Sequence, residues 1–233
     1  MVMKAIERET FNALSGKKAA IIAKMNSLVE NQVIRALYRA SQAGVKITLI
    51  IRGACALRPQ SPGISDNITV KSVVGRFLEH HRVFYFYDSG NEDVFISSAD
   101  WMKRNFFKRV ETCIPILNPK IKQRVIDESL TLYIQDNVNS WQMDSEGNYT
   151  QAPLVGKAVS AQDFLMNKLG LPVIKETLAN KLIEQAAKLP TVVAEDVLAT
   201  KPIRKPRATR STANAAVEST PAVRKPRVRK TVV

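Results

Sequence analysis

His80 and His81 are the only histidines in the chain, and they stand side by side in Gly75-Arg76-Phe77-Leu78-Glu79-His80-His81-Arg82. An imidazole among guanidinium groups can act on phosphorus as a nucleophile or an acid, while arginine forks neutralise the equatorial oxygens. Arg52, at the end of a separate apolar run, is a second phosphate-binding candidate. The plain alternative for a histidine at a strand edge is a surface or core imidazole. Two features argue against it: the charged neighbours Arg76, Glu79 and Arg82, and the position just before an aromatic, β-branched run, where a side chain can be aimed into a cleft.

Further residues could serve the same cleft. Lys24 and Asn26 close the first apolar run, and strand-end solvation is their ordinary role. Arg58 and Arg104-Asn105 fall in segments read as loops, where with Arg76 and Arg82 they could line a channel for a polyanion. Glu111 could orient His80, although a surface carboxylate is equally consistent. Trp101 and the Phe106-Phe107 pair read as packing. Cys55 and Cys113 lack CxxC or His-paired spacing, so the sequence gives no reason for zinc, for a disulfide framework or for a reactive thiol. No metal ligands are assigned.

The elements that must position these residues follow from periodicity. Ala5 to Leu14 suits a helix, and the run 19–25 (Ala-Ala-Ile-Ile-Ala-Lys-Met) a buried strand. Asn31 to Ala43 puts Val33, Ile34, Leu37 and Ala40 on one helical face, with Gly44 as the stop. Lys46 to Ile51 is a second buried strand, so the three segments predict a βαβ unit with a parallel pair. Arg52 follows directly, and in open α/β sheets ligands gather outside the carboxyl ends of the strands. Further strands are expected over Ile68–Val74, Arg82–Tyr87, Asp93–Ser98 and Val110–Ile116, with Asp88-Ser89-Gly90-Asn91 as a hairpin turn. Pro119 to Val138 predicts one long helix, and Asp144 to Asn148 a turn. Ser160 to Leu189 is helical in composition, broken at Gly170-Leu171-Pro172. The expected class is a mixed α/β sandwich.

Charge separates a body from a tail. Of a formal net charge of +14, the segment from Ala199 onward holds ten Lys/Arg against the single acid Glu218, leaving 25 basic against 20 acidic residues elsewhere. The tetrad Arg204-Lys205-Pro206-Arg207 recurs as Arg224-Lys225-Pro226-Arg227 in a stretch without aromatics or amphipathic period. The expected organisation is a folded domain over 1–150, a helical extension over 151–190 and a disordered basic tail over 191–233. Such a tail would concentrate polyanions by electrostatics and bind nucleic acid for the same reason. No secretory signal and no run of about 20 apolar residues is visible, so a cytoplasmic place, or a peripheral one at a membrane, is expected.

Several blocks resemble polyphosphate kinase in consecutive order. They are Lys24 to Val29, Arg35 to Val45, Ile51-Arg52-Gly53, Val74 to His80 and Ser98 to Asn105, and the resemblance runs from about Ile6 to about Tyr149. It implies the last catalytic domain of that enzyme, with a phospholipase D-like fold. His80-x-Arg82 and Ser97-Ser98-x-Asp100 look like degenerate forms of that superfamily's His-x-Lys and Gly-Ser-x-Asn motifs, Ser97 standing where glycine is usual.

By position, the resemblance implies that Arg52 and His80 contact the phosphates of ATP and that His80 assists transfer of the terminal phosphate to polyphosphate, reversibly. ATP/ADP and inorganic polyphosphate are the implied substrates, with magnesium expected for the family. The resemblance also implies that the phosphorylated histidine and the magnesium site lie upstream of Met1, so a separately encoded upstream half is an expected partner. The full enzyme is expected to be an oligomer. One alternative is a non-catalytic fragment that binds polyphosphate or nucleic acid. Another is a phospholipase D-like phosphodiesterase built from two such halves, against which Arg82 in place of lysine argues.

Overall fold

The computed structural model describes residues 1–170. Helix α1 (Val2–Leu14) leads into strand β1 (Ala20–Met25), helix α2 (Asn31–Gln42) and strand β2 (Lys46–Ile51). β3 (Ile68–Val73), β4 (Arg82–Phe86) and β5 (Asp93–Ser97) follow, then a short helix α3 (Lys103–Phe107) and β6 (Cys113–Pro115). Helix α4 (Pro119–Ile126) continues through one π-helical turn into α5 (Leu132–Gln135). Strands β7 (Ser140–Met143) and β8 (Tyr149–Gln151) and helix α6 (Ala161–Leu169) complete it.

The eight strands form one sheet in the order β6-β5-β4-β1-β2-β3-β7-β8. β1, β2 and β3 are parallel, as the βαβ pattern requires, and β4 pairs antiparallel with β1. This topology sets the position of the site. Three parallel strands end at one edge of the sheet, and β4, running the other way, begins there. β5 pairs antiparallel with β4, opposing Ser97 to Arg82, and so ends at the same edge.

Alternation along the strands builds a layer on each face. Ile21, Ala23 and Met25 of β1, Ile47, Leu49 and Ile51 of β2 and Phe84 and Phe86 of β4 pack in one cluster with the apolar stripes of α1 and α2. Their neighbours Ile50, Val73, Val83 and Tyr85 face the opposite way, against Leu130, Leu132, Tyr133 and Ala161. Each fully buried Ile or Leu contributes about 1.5–3 kcal/mol of burial free energy. Local signals fix the helix ends: Glu30 caps α2 by accepting the Val33 N–H at 2.7 Å, and Gly44, at φ +98°, lets the chain leave α2.

The structure departs from the sequence expectations in four places. The strand expected over Val110–Ile116 is only Cys113–Pro115, and Val110 is fully exposed. Arg104-Asn105, expected in a loop, lies in α3. The expected helix to Val138 ends at Gln135. Lys71 of β3 donates to the carbonyls of Ile134 and Asp136, each at 2.6 Å, and the fully buried Asp136 carboxylate accepts from the N–H groups of Val138, Asn139 and Ala161. Those bonds turn the chain out of the helix and into β7, which pairs with β3. The hairpin β7–β8, joined at the expected Asp144–Asn148 turn, is the fourth departure.

α6 starts at Ser160, whose hydroxyl accepts the Asp163 N–H, and its Ala161 joins the core with Ile50 and Tyr133. The helical expectation beyond Gly170 and the basic tail lie outside the described residues.

Candidate functional site

Arg52, Asn26 and His80 meet at the shared edge of β1, β2 and β4. The Arg52 guanidinium donates twice to the Asn26 side-chain oxygen, from Nη2 at 2.6 Å and from Nε at 3.2 Å. Because arginine has no acceptor, this fixes which way the Asn26 amide points. Its Nδ2 is left as a donor, and it lies 3.2 Å from His80 Nδ1. His80 Nδ1 is therefore an acceptor, so the neutral ring carries its proton on Nε2. The His80 residue is exposed, while Asn26 is buried beneath it.

Asp100 holds this trio from below. One of its oxygens, Oδ1, accepts the Asn26 N–H at 2.8 Å, the Ser27 N–H at 3.3 Å and the Asn26 Nδ2–H at 3.3 Å. The Arg82 fork grips both its oxygens, at 3.1 and 2.9 Å, and Arg82 Nη1 donates to the His80 carbonyl at 2.8 Å. Burial alone would raise the Asp100 carboxyl; the Arg82 hydrogen bonds and the Asn26 N–H outweigh it and hold it below the usual carboxylate range. Gly53 allows the ends of β1 and β2 to approach, since a Cβ there would stand 2.9 Å from the Asn26 carbonyl oxygen.

A second cluster lies beside the trio at the same strand ends, where Lys24, Asn26, Arg52, Glu79 and His81 line one small cavity. Lys24 forms an ion pair with Glu79, donates to His81 Nε2 at 2.9 Å, and sits 3.8 Å from the centre of the Tyr133 ring. Glu79 also accepts from the Tyr133 hydroxyl and from Gln162 Nε2, the latter at 2.8 Å. Burial pushes Lys24 down to about 8, against the pull of Glu79 and with the help of Arg52. Burial would raise Glu79, but Lys24 and the two neutral donors hold it ionised. Partial burial, then the charge of Lys24, pushes His81 down to about 4, so its ring is neutral and protonated on Nδ1. Burial and the neighbouring Glu79 carboxylate raise the Tyr133 hydroxyl, which stays a donor.

Of the residues singled out in the sequence, Arg52, His80, Asn26, Lys24 and Arg82 come together. Arg82 does so as a buried partner of Asp100 rather than as a cation facing an open channel. Arg76 is exposed and leans over the Phe77 ring and Met166. Arg58 is exposed in a loop whose backbone is held by Tyr38 and Ser65, and Arg104 is exposed on α3. None of these three makes a hydrogen bond to the Arg52–Asn26–His80 trio. Glu111 does not orient His80; its carboxylate accepts from Ser98 and Asn105. Trp101 is fully buried against Phe84, as packing requires, whereas Phe107 is 59% exposed. Cys55 and Cys113 are both free, and burial raises both thiols.

Sequence reasoning missed Tyr133 and Gln162 as parts of the site, and read Glu79 only as a neighbour of the histidines. Tyr133 and Gln162 are 54 and 83 positions away from Glu79, so no local pattern joins them. A free carboxylate is what a divalent cation would need here, and the edge does not offer one. Asp100 is forked by Arg82, Glu79 is held by Lys24, Tyr133 and Gln162, and no cluster of three possible metal ligands occurs among the described residues.

With the geometry in place, comparison with known proteins identifies its relatives. The family model described as polyphosphate kinase C-terminal domain 2 matches residues 1–162. A polyphosphate kinase of Burkholderia cenocepacia is 58% identical over 148 residues, which cover 64% of this chain and 22% of that protein. One of Neisseria meningitidis serogroup B is 55% identical over 172 residues, 73% of this chain and 25% of that protein. The crystal structure of polyphosphate kinase from Porphyromonas gingivalis superposes with a TM-score of 0.69 at 43% identity, covering 72% of this chain and 26% of that one. The chain thus spans about a quarter of the length of the relatives it matches.

Proposed function

The chain belongs to the polyphosphate kinase C-terminal domain 2 family, and on that premise we propose that it supplies the nucleotide-phosphate-contacting part of a polyphosphate kinase. The reaction is transfer of the terminal phosphate of ATP to polyphosphate, with the reverse transfer giving ATP from ADP. The observation that carries this reading is the Arg52–Asn26–His80 arrangement. Two side chains that can donate to anionic oxygens are tied through one amide, at the carboxyl ends of parallel strands, where ligands of open α/β sheets bind. Phosphoryl transfer depends mostly on positioning and on neutralising spread-out negative charge.

Within this reading each residue has a distinct task. Arg52 offers guanidinium N–H groups to the phosphate oxygens. The His80 Nε2–H donates to the group in transfer or to the leaving oxygen, as an acid rather than a nucleophile, because its lone pair sits at Nδ1 facing Asn26. Asn26 fixes both partners, and Asp100 with Arg82 holds the backbone that carries them. Magnesium, expected for the family, finds no free carboxylate at this edge. The rest of the relatives' length, supplied in the same or a separate polypeptide, provides the remaining groups. Among the described residues no helix is long and apolar enough to cross a membrane. On the family reading, the proposed place of the enzyme is the cytoplasm or the periphery of a membrane.

The test is ATP-dependent polyphosphate synthesis by this chain combined with the complementary upstream part of a relative. His80→Ala is expected to lower turnover by roughly 30- to 1000-fold, corresponding to about 2–4 kcal/mol of transition-state stabilisation. Unchanged turnover would remove His80 from the reaction.

A further inference from the structure

Gln162, the second residue of α6, is 4% exposed and reaches back across the sheet edge. Its Oε1 accepts the Phe77 N–H at 2.7 Å, its Nε2 donates to the Phe77 carbonyl at 2.9 Å, and the same Nε2 donates to Glu79 at 2.8 Å. One amide thus pairs both backbone groups of Phe77, as a neighbouring strand would, and then binds the carboxylate next to His80. We propose that Gln162 is a positioning residue of the site, fixing the segment that carries His80. The inference rests on the reading of His80 as a phosphate-facing group.

The segment from Gly75 to His80 needs such a clamp. It has no regular structure of its own, and its two large apolar residues point outward, Phe77 47% and Leu78 80% exposed. Burial therefore contributes little to holding it, and polar contacts must do so. Gly75 makes the approach possible, since a Cβ there would stand 2.6 Å from Gln162 Oε1. The clamp is itself anchored. Asp136 accepts the Ala161 N–H at 2.8 Å, Asn139 Nδ2 donates to the Ser160 hydroxyl at 3.0 Å, and Ala161 is fully buried. A continuous set of contacts thus runs from the end of α5 through the start of α6 to Phe77 and Glu79, and His80 is the next residue. The methylene-rich body of glutamine is matched in length by methionine, which lacks every one of these hydrogen bonds.

The experiment compares the full chain with Gln162→Met and, independently, with Gly75→Ala, which crowds the same amide. Amide exchange at Phe77 is expected to rise on the order of tenfold or more in both variants, while amides in β1 and β2 keep their protection. The side-chain 15N signals of His80 are expected to change from a dominant Nε2–H form to a mixture of tautomers. Unchanged exchange across 75–80, or raised exchange with unmoved His80 signals, would overturn the inference. Failure of the wild-type chain to bind ATP or polyphosphate would instead remove the phosphate-site reading, and the exchange and tautomer measurements would still decide whether Gln162 positions His80.

Discussion

His80 and His81 are neighbours in the chain with opposite surroundings. His80 projects to the open edge, where its Nδ1 meets an amide donor tied to Arg52. The His81 ring turns toward Tyr133, where Lys24 donates to its Nε2 and Glu79 lies 3.9 Å from its Nδ1. One ring therefore presents an N–H to whatever binds at the edge, and the other accepts from a lysine already engaged. The difference comes from the partner each ring meets at the end of β1: the Asn26 amide for His80 and the Lys24 ammonium for His81. The His80 group is the open side, with donors in need of an anion; the Lys24–Glu79 pair, 7% and 15% exposed, forms with Tyr133 and Gln162 the closed side, a satisfied network.

The largest expected effect comes from removing the shared support. Asp100→Ala leaves the buried Arg82 guanidinium without its carboxylate and the Asn26 and Ser27 N–H groups without an acceptor. It should destabilise the chain by about 3–5 kcal/mol in urea unfolding. Lys24→Met breaks the closed side alone, at a cost of about 2–3 kcal/mol. Adding Glu79→Gln should then cost less than the sum of the single changes, because the two residues form one pair. Gly53→Ala forces the ends of β1 and β2 apart at the Asn26 carbonyl, with an expected loss of about 1–3 kcal/mol.

Much of this architecture was legible in the sequence, for reasons that also explain what was not. The βαβ unit, the hairpin β4–β5 and the edge position of Arg52 and His80 follow from periodicity and turn residues spaced a few positions apart. Arg82 was read as a channel cation because charge is visible in a sequence and a partner 18 positions away is not. β7 has little signal because Ser-Trp-Gln-Met is only four residues long and its burial does not follow its alternation; its place is set by Lys71 and Asp136, which stop the preceding helix. The single π turn has no sequence signal of its own, yet it lies between α4 and the segment that carries Tyr133.

Acid should affect the closed side. His81 ordinarily titrates near 6.5 and in the fold near 4, so between those values the unfolded chain binds more protons and stability falls as the pH drops. His81→Gln should flatten the melting temperature between about pH 6.5 and 4. Asp100 and Glu79, held below their ordinary values of 3.8 and 4.5, would add their own loss at lower pH. The smallest effect on stability is expected on the open side. Arg52→Ala should cost about 1 kcal/mol, because the Asn26 oxygen loses its two donors, yet weaken ATP binding on the order of tenfold, as measured by calorimetry.

The contrast between the two histidines can be measured in one sample, because the chain has no others. Histidine-selective 15N spectra of the full chain, titrated with ATP and then with polyphosphate, report each ring separately. His80 is expected to start as the Nε2–H form and to move on binding, while His81 starts as the Nδ1–H form and stays. Movement of His81 with a fixed His80, or the same tautomer at both, would contradict it.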